Sequence, residues 1–189
     1  MSPETELTRK TKEPLYSKVK PGDVHEHLIS ALVENRPGVL ARISGMFAAR
    51  GFNISSLAVG ATTDPTIARM TIACIGDDRV IEQIIKQLRK LIDVVRVSDL
   101  FRRDHVEREL ILIKVKCKRE TRSEIMQIVD IFRGRIIDVH HNAVMVETSG
   151  NQEKNDALLE LLDPFGILEI ARTGRIALFR GPDFLKLPE

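Results

Sequence analysis

Aromatic side chains are scarce in this chain: seven Phe, one Tyr and no Trp among 189 residues. A small sheet protein that reads RNA stacks bases on rings carried by its central strands, and there is little here to stack on. Cysteine is scarcer. Cys74 and Cys117 each lie near the end of an apolar run, where a free thiol behaves as a small hydrophobe. Two such residues make neither a disulfide framework nor a Cys-x-x-Cys metal loop. An excess of one charge is also missing, since 29 basic and 27 acidic residues leave a formal charge of +2. That field is too weak to imply a nucleic-acid or membrane partner. No apolar run approaches the roughly 20 residues of a membrane span. Met1 to Gly22 carries Pro3, Pro14 and Pro21 among Thr, Lys and Glu, without the apolar stretch of a signal peptide. Residues 1–23 therefore read as a flexible tail on a cytoplasmic protein. No glycine-rich phosphate loop and no serine elbow occurs, and no nucleophile has a base at useful spacing, so no catalytic residue is expected.

What the chain does have is periodicity. His27 to Val33 is a nearly continuous apolar run, placing a first strand at about Glu26 to Glu34. Val39, Leu40, Ile43, Met46 and Phe47 then recur at helical spacing, predicting a helix from Pro37 to Arg50 that stops at Gly51. Strands follow at Asn53 to Ala61 and Thr66 to Ile75, with Asp64-Pro65 as the turn. Gly76-Asp77-Asp78 supplies turn and cap for a helix marked by Val80, Ile81, Ile84, Ile85, Leu88 and Leu91, and a strand at Val94 to Leu100 closes the unit. The order βαββαβ is the ferredoxin-like fold. After a charged segment the pattern returns, with a strand at Leu110 to Val115 and a helix marked by Ile125, Ile128, Val129 and Phe132. Further strands are expected at Gly134 to Val139 and Val144 to Glu147, a helix at Asp156 to Leu162 and a last strand at Leu168 to Leu178. The fold class is thus α+β, a tandem of two ferredoxin-like units. The expected divisions are a tail (1–23), a first domain (24–102), a linker (103–107), a second domain (108–182) and a C-terminal tail (183–189).

The stretch Asn35-Arg36-Pro37-Gly38 between the first strand and helix carries the most chemistry. Pro37 suits a first helical position, where its missing N–H costs nothing, and Gly38 lets another molecule approach the backbone. Such a turn presents helix amides to a carboxylate or phosphate, an attraction of about 0.3–2 kcal/mol. Asn35 adds a side-chain amide. A zwitterion fits, although the same residues make ordinary tight turns. In the second copy the place is taken by Lys118-Arg119-Glu120-Thr121, and Glu120 would compete with an anion for the helix amides. The ligand is therefore expected in the first domain alone. His25 and His27 share a strand face but lack a third ligand nearby in sequence, so no metal site is expected. His140-His141 falls at a hairpin tip beside Asn142. The open sheet edge of the first unit would pair with another copy, giving a homodimer that brings Asn53 and Ile54 of one subunit towards the neighbour's turn.

Asn35-Arg36-Pro37-Gly38-Val39-Leu40, then Phe47 to Ser56, resembles an ACT domain. Asp64-Pro65-Thr66, Gln87 to Val94, His105 to Glu109, Phe132 to Val139 and Ala171-Arg172-Thr173-Gly174 are similar to the regulatory small subunits of acetolactate synthase (acetohydroxyacid synthase) over about residues 25–182. The resemblance implies a partner, the large catalytic subunit, which uses thiamine diphosphate, Mg and FAD in branched-chain amino-acid synthesis, with no cofactor in this chain. It implies activation of that partner and feedback inhibition by valine, with leucine or isoleucine as alternatives. It implies an effector held by Asn35, Pro37, Gly38, Val39 and Leu40 of one subunit and Asn53 and Ile54 of another. A free-standing amino-acid sensor acting on another enzyme is the competing reading.

Overall fold

The structure is a computed structural model, which describes residues 23–187; all but the last residue of the expected tail 1–23, and the last two of the expected tail 183–189, lie outside them. The first half runs β1 (His25–Glu34), α1 (Val39–Ala48), β2 (Ser56–Ala61), β3 (Ile67–Gly76), α2 (Asp78–Leu88) and β4 (Val94–Asp99). Its strands form an antiparallel sheet in the order β2-β3-β1-β4. Because side chains alternate across a strand, Ile29, Ala31 and Val33 of β1 and Met70, Ile72 and Cys74 of β3 face one way. They pack against Ile43 and Phe47 of α1 and Ile81, Ile84 and Leu88 of α2. Asp77 caps α2 by accepting from the Val80 amide at 2.8 Å.

The second half repeats the plan with β5 (His105–Lys116), α3 (Arg122–Ile131), β6 (Arg135–Val139), β7 (Ala143–Gly150), α4 (Gln152–Leu162), β8 (Ile167–Arg172) and β9 (Ile176–Phe179). The strand order is β6-β7-β5-β8, with β9 added beside the start of β5. Its core joins Ile111, Ile113 and Val115 to Ile125, Val129, Leu158 and Leu162. Among the described residues no helix is long and apolar enough to cross a membrane.

Several boundaries differ from the sequence reading. First, α1 begins at Val39 rather than Pro37, because Gly38 adopts φ +88°, which no helix tolerates. Second, β2 begins at Ser56, leaving Asn53 and Ile54 in the loop before it. Third, the expected linker 103–107 is largely strand. His105 to Arg108 pair with Phe179 to Ile176, and that pairing orders charged residues whose sequence suggests only a connector. Fourth, the single closing strand is broken after Arg172, since Gly174 turns the chain at φ +78° and sends β9 back along β5. In addition, α4 starts earlier than Asp156, because Asn151 caps it by accepting from the Lys154 amide at 3.2 Å.

The two halves are not beads on a string. Leu28, Ala73 and Leu100 on the first sheet's other face form a small buried cluster with Ala177, and Phe179 packs against it. Arg175 pins the seam. Its guanidinium pairs with Glu26 of β1 and, at 3.6 Å, with Glu107 of β5, and donates to Gln152 of α4 at 2.8 Å.

Candidate functional site

The turn between β1 and α1 is exposed from Asn35 to Gly38. Its shape comes from three anchors. The Asn35 amide donates to the Thr66 carbonyl at 2.7 Å, and its side-chain Nδ2 to the Pro65 carbonyl at 2.9 Å. The loop that accepts them is itself braced, since Asp64 takes both the amide (2.8 Å) and the hydroxyl (2.6 Å) of Thr66. Those two bonds hold the Asp64 carboxyl below the usual carboxylate range. Asn35 is thus a strut to the β2–β3 hairpin, and its Oδ1 has no hydrogen-bond partner among the described residues.

The third anchor is Asp93, whose side chain is 1% exposed. Arg36 reaches one of its oxygens at 2.6 Å and Arg42 the other at 2.7 Å, while the Glu34 amide donates to its carbonyl at 2.9 Å. The hydrogen bond from Arg36, with help from the Arg42 charge, outweighs burial and keeps the Asp93 carboxyl below its ordinary range. Asp93 therefore ties the approach to α1, through Arg36, to its first turn, through Arg42. Sequence reasoning missed it, because no local pattern links a carboxylate before β4 to arginines more than fifty positions earlier.

Within this frame the helix end is open. The Arg42 backbone amide already donates to the Gly38 carbonyl at 3.0 Å, and the Val39 amide makes a long bond of 3.5 Å to the Arg36 carbonyl. Among the described residues the Leu40 and Ala41 amides have no acceptor, as expected of a first turn. A Cβ added at Gly38 would meet no atom within 4 Å. No acidic residue occupies the first turn of α1. The arrangement can take one carboxylate on free, oriented amides without displacing a resident one.

The seven expected residues are not all together. Asn35, Pro37, Gly38, Val39 and Leu40 are contiguous at one end of the sheet. Val39 is buried in the core, so only its backbone faces the site, whereas Leu40 is 48% exposed. Asn53 and Ile54 stand at the opposite end. Ser56 pairs with Ala73, which pairs with Leu28, and the turn follows Glu34; at the ordinary rise of a strand the two levels are about 20 Å apart. Within one chain they cannot share a ligand.

The start of α3 differs, but not through Glu120 as expected: among the described residues its Arg122, Ser123 and Glu124 amides also have no acceptor, and an acid, Glu124, lies in its first turn. No hydrogen bond joins Glu120 to the α3 amides among the described residues. Thr121 Oγ1 accepts from the Lys118 amide at 3.2 Å and caps no α3 amide. Arg122 spans to the β6–β7 tip, donating to the His140 and His141 carbonyls at 3.1 and 3.3 Å.

Beyond Asn53 and Ile54 the first half touches the second. The Ser55 amide donates to Ala73, and Ser56 Oγ accepts from the Arg175 amide at 3.2 Å. A Cβ on Gly174 would lie 2.8 Å from Ser56 Oγ and 3.1 Å from the Leu57 carbonyl oxygen, so backbone packs on backbone there. The cysteines add no nucleophile: both are buried, and burial, then the charges of Asp99 and Glu26, pushes the Cys74 thiol up to about 12.

Residues 29–96 match a family model described as AHAS small subunit-like ACT domain, and residues 108–181 match one described as small subunit of acetolactate synthase. Over 156 residues the chain is 58% identical to a probable acetolactate synthase small subunit of Methanothermobacter thermautotrophicus, covering 82% of this chain and 93% of the relative. It is 48% identical to the acetolactate synthase small subunit of Aquifex aeolicus over 169 residues, 89% of this chain and 88% of the relative. The crystal structure of the acetolactate synthase small subunit from Thermotoga maritima superposes with a TM-score of 0.77 at 46% identity, covering 84% of this chain and 99% of that one.

Proposed function

The chain belongs to the acetolactate synthase small-subunit family, and we propose on that premise that it is a cytoplasmic, non-catalytic regulatory subunit. It raises the activity of the large catalytic subunit, whose thiamine diphosphate, Mg and FAD do the chemistry, and makes it answer to valine or a related branched-chain amino acid. The observation that carries the effector site is the open first turn of α1: two free amides, a left-handed Gly38 and no acid of its own. The effector carboxylate sits on the Leu40 and Ala41 amides, with Asn35 Oδ1 beside it to accept from the ammonium group. Leu40, exposed at the rim, contacts the side chain.

The distance between the turn and Asn53 supports a homodimer in which each site draws on two chains. β2 is an edge of the first sheet, and Val59 on it is 51% exposed, so its unpaired backbone groups can join a second copy. An effector bridging the turn of one protomer and Asn53–Ile54 of its partner biases the position of β2. Ser56 and Leu57, directly downstream, carry that bias to Gly174 and Arg175 in the second half. A ligand shifts such an equilibrium only by its differential affinity for the two arrangements. The test is reconstitution with the catalytic subunit, following acetolactate formation against rising valine, leucine and isoleucine, with calorimetry on the isolated chain. Activation without inhibition by any of the three, together with no heat of binding, overturns the effector assignment.

A further inference from the structure

Away from the turn, at the other end of β1, the fold gathers metal-ligating groups that the sequence keeps apart. We propose that His25, His27 and Asp78 bind one divalent transition-metal cation of the zinc class at the seam between β1, α2 and the segment crossing into the second half. His25 and His27 lie on one face of β1, with ring centroids 4.1 Å apart. Asp78, the first residue of α2, faces them, and one ligand atom from each of the three falls within 4.8 Å of the others. The Phe101 ring packs at 4.3 Å from His25 and 4.9 Å from His27, shielding the pair.

The orientation of the rings separates this cluster from a chance pairing. His27 Nδ1 lies 3.2 Å from Asp99 Oδ2, and His25 Nδ1 lies 2.9 Å from the Asp23 carbonyl. Both partners accept, which assigns the proton to both Nδ1 atoms, and in the neutral ring each Nε2 then presents a lone pair. Both Nε2 atoms are buried and without a hydrogen-bond partner, and His27 as a whole is 0% exposed. A cation held between the two rings and the Asp78 carboxylate would satisfy both lone pairs at once. A carboxylate or carbonyl behind the far ring nitrogen is also the usual support of a metal-bound imidazole.

Two imidazoles and one carboxylate favour zinc over magnesium or calcium, which prefer all-oxygen shells. Ligand atoms around tetrahedral zinc stand about 3.3 Å apart, so the three groups close by an ångström or so, and water completes the shell. The half-buried His25 and Asp78, whose side chain is 44% exposed, have that freedom. Asp78 now takes Arg102 at 3.2 Å; that arginine, 62% exposed, swings outward when the metal arrives. The bound ion ties the start of β1 to α2 and, through Asp99, to the end of β4, a structural role at the seam of the two halves.

The test uses full-length, tag-free protein stripped with chelator. Zn2+ is titrated by calorimetry, Co2+ serves as a probe of four-coordinate geometry by its visible spectrum, and thermal melts are recorded with and without metal. One site per chain and a rise in melting temperature are expected. His25→Ala and Asp78→Asn should each weaken binding at least tenfold, and Asp99→Asn about 10–100-fold through the supporting shell. The His140→Ala/His141→Ala double variant, which removes the exposed pair, should bind as the parent does. No stoichiometric site in the parent, equal binding by the parent and Asp78→Asn, or loss in the double variant overturns the proposal. If His25→Ala melts below the parent without metal, Asp78→Asn on the rim decides alone.

Discussion

Replacing Gly38 with Asp tests the effector site at the point where geometry and charge can be separated. Gly38 has φ +88°, so any side chain there costs about 1–2 kcal/mol of backbone strain, lowering the melting temperature by about 2–8 °C. No further clash is due, because an added Cβ meets nothing within 4 Å. The larger effect falls on the ligand. A fixed carboxylate about 4 Å from the effector's own costs on the order of 4 kcal/mol at an effective dielectric near 20, about a thousandfold in affinity. Gly38→Asn is the control: it shares the shape and tolerance of a left-handed φ but not the charge, and should cost no more than about tenfold. The assay is half-inhibition of the reconstituted enzyme by valine, normalised to each variant's activity without valine, with calorimetry on the isolated subunits. An unchanged half-inhibition concentration in Gly38→Asp removes this turn from the site. Equal loss in both variants refutes the electrostatic reasoning and leaves only occupied space.

The remaining expectations concern the frame, the seam and the dimer. Asp93 is held below its ordinary range by Arg36 and Arg42, so its contribution is full above about pH 4, where the unfolded carboxyl is also ionised, and fades as pH falls through the lower folded value. Asp93→Asn should therefore lower the urea midpoint at pH 7 and flatten its decline between pH 4 and 2; parallel acid limbs for parent and variant would contradict this. Gly174→Ala places a methyl 3.1 Å from the Leu57 carbonyl oxygen at φ +78° and should cost about 1–3 kcal/mol in denaturant melts while weakening valine inhibition more than valine binding. Inhibition and binding changing by the same factor would show that the seam carries no signal. Because Asn53 and the turn cannot meet within one chain, Gly38→Asp and Asn53→Ala subunits, each binding weakly alone, should regain part of the valine binding when unfolded and refolded together. Failure of the mixture to exceed either parent, or a monomer in sedimentation with valine present, argues against a shared site.

Much of this was written locally. The apolar periodicities of β1, α1, β3 and α2 depend only on which face a residue presents, so both βαββαβ units were readable before any contact was known. Asn35-Arg36-Pro37-Gly38 announced a turn with exposed amides because Pro and Gly act on their own backbone. Other features arise from pairing over distance, which no local pattern encodes. His105 to Arg108 look like a solvated connector until β9 lies beside them. Asp93 becomes the anchor of the site only when folding carries it under Arg36 and Arg42. Asn53 and Ile54 sit near the turn in sequence but far from it in space, because α1 runs the length of the sheet before the chain returns. His25 and His27 were visible as a pair. Their third partner, Asp78, required the β1–β3 register, which sets the start of α2 against the start of β1.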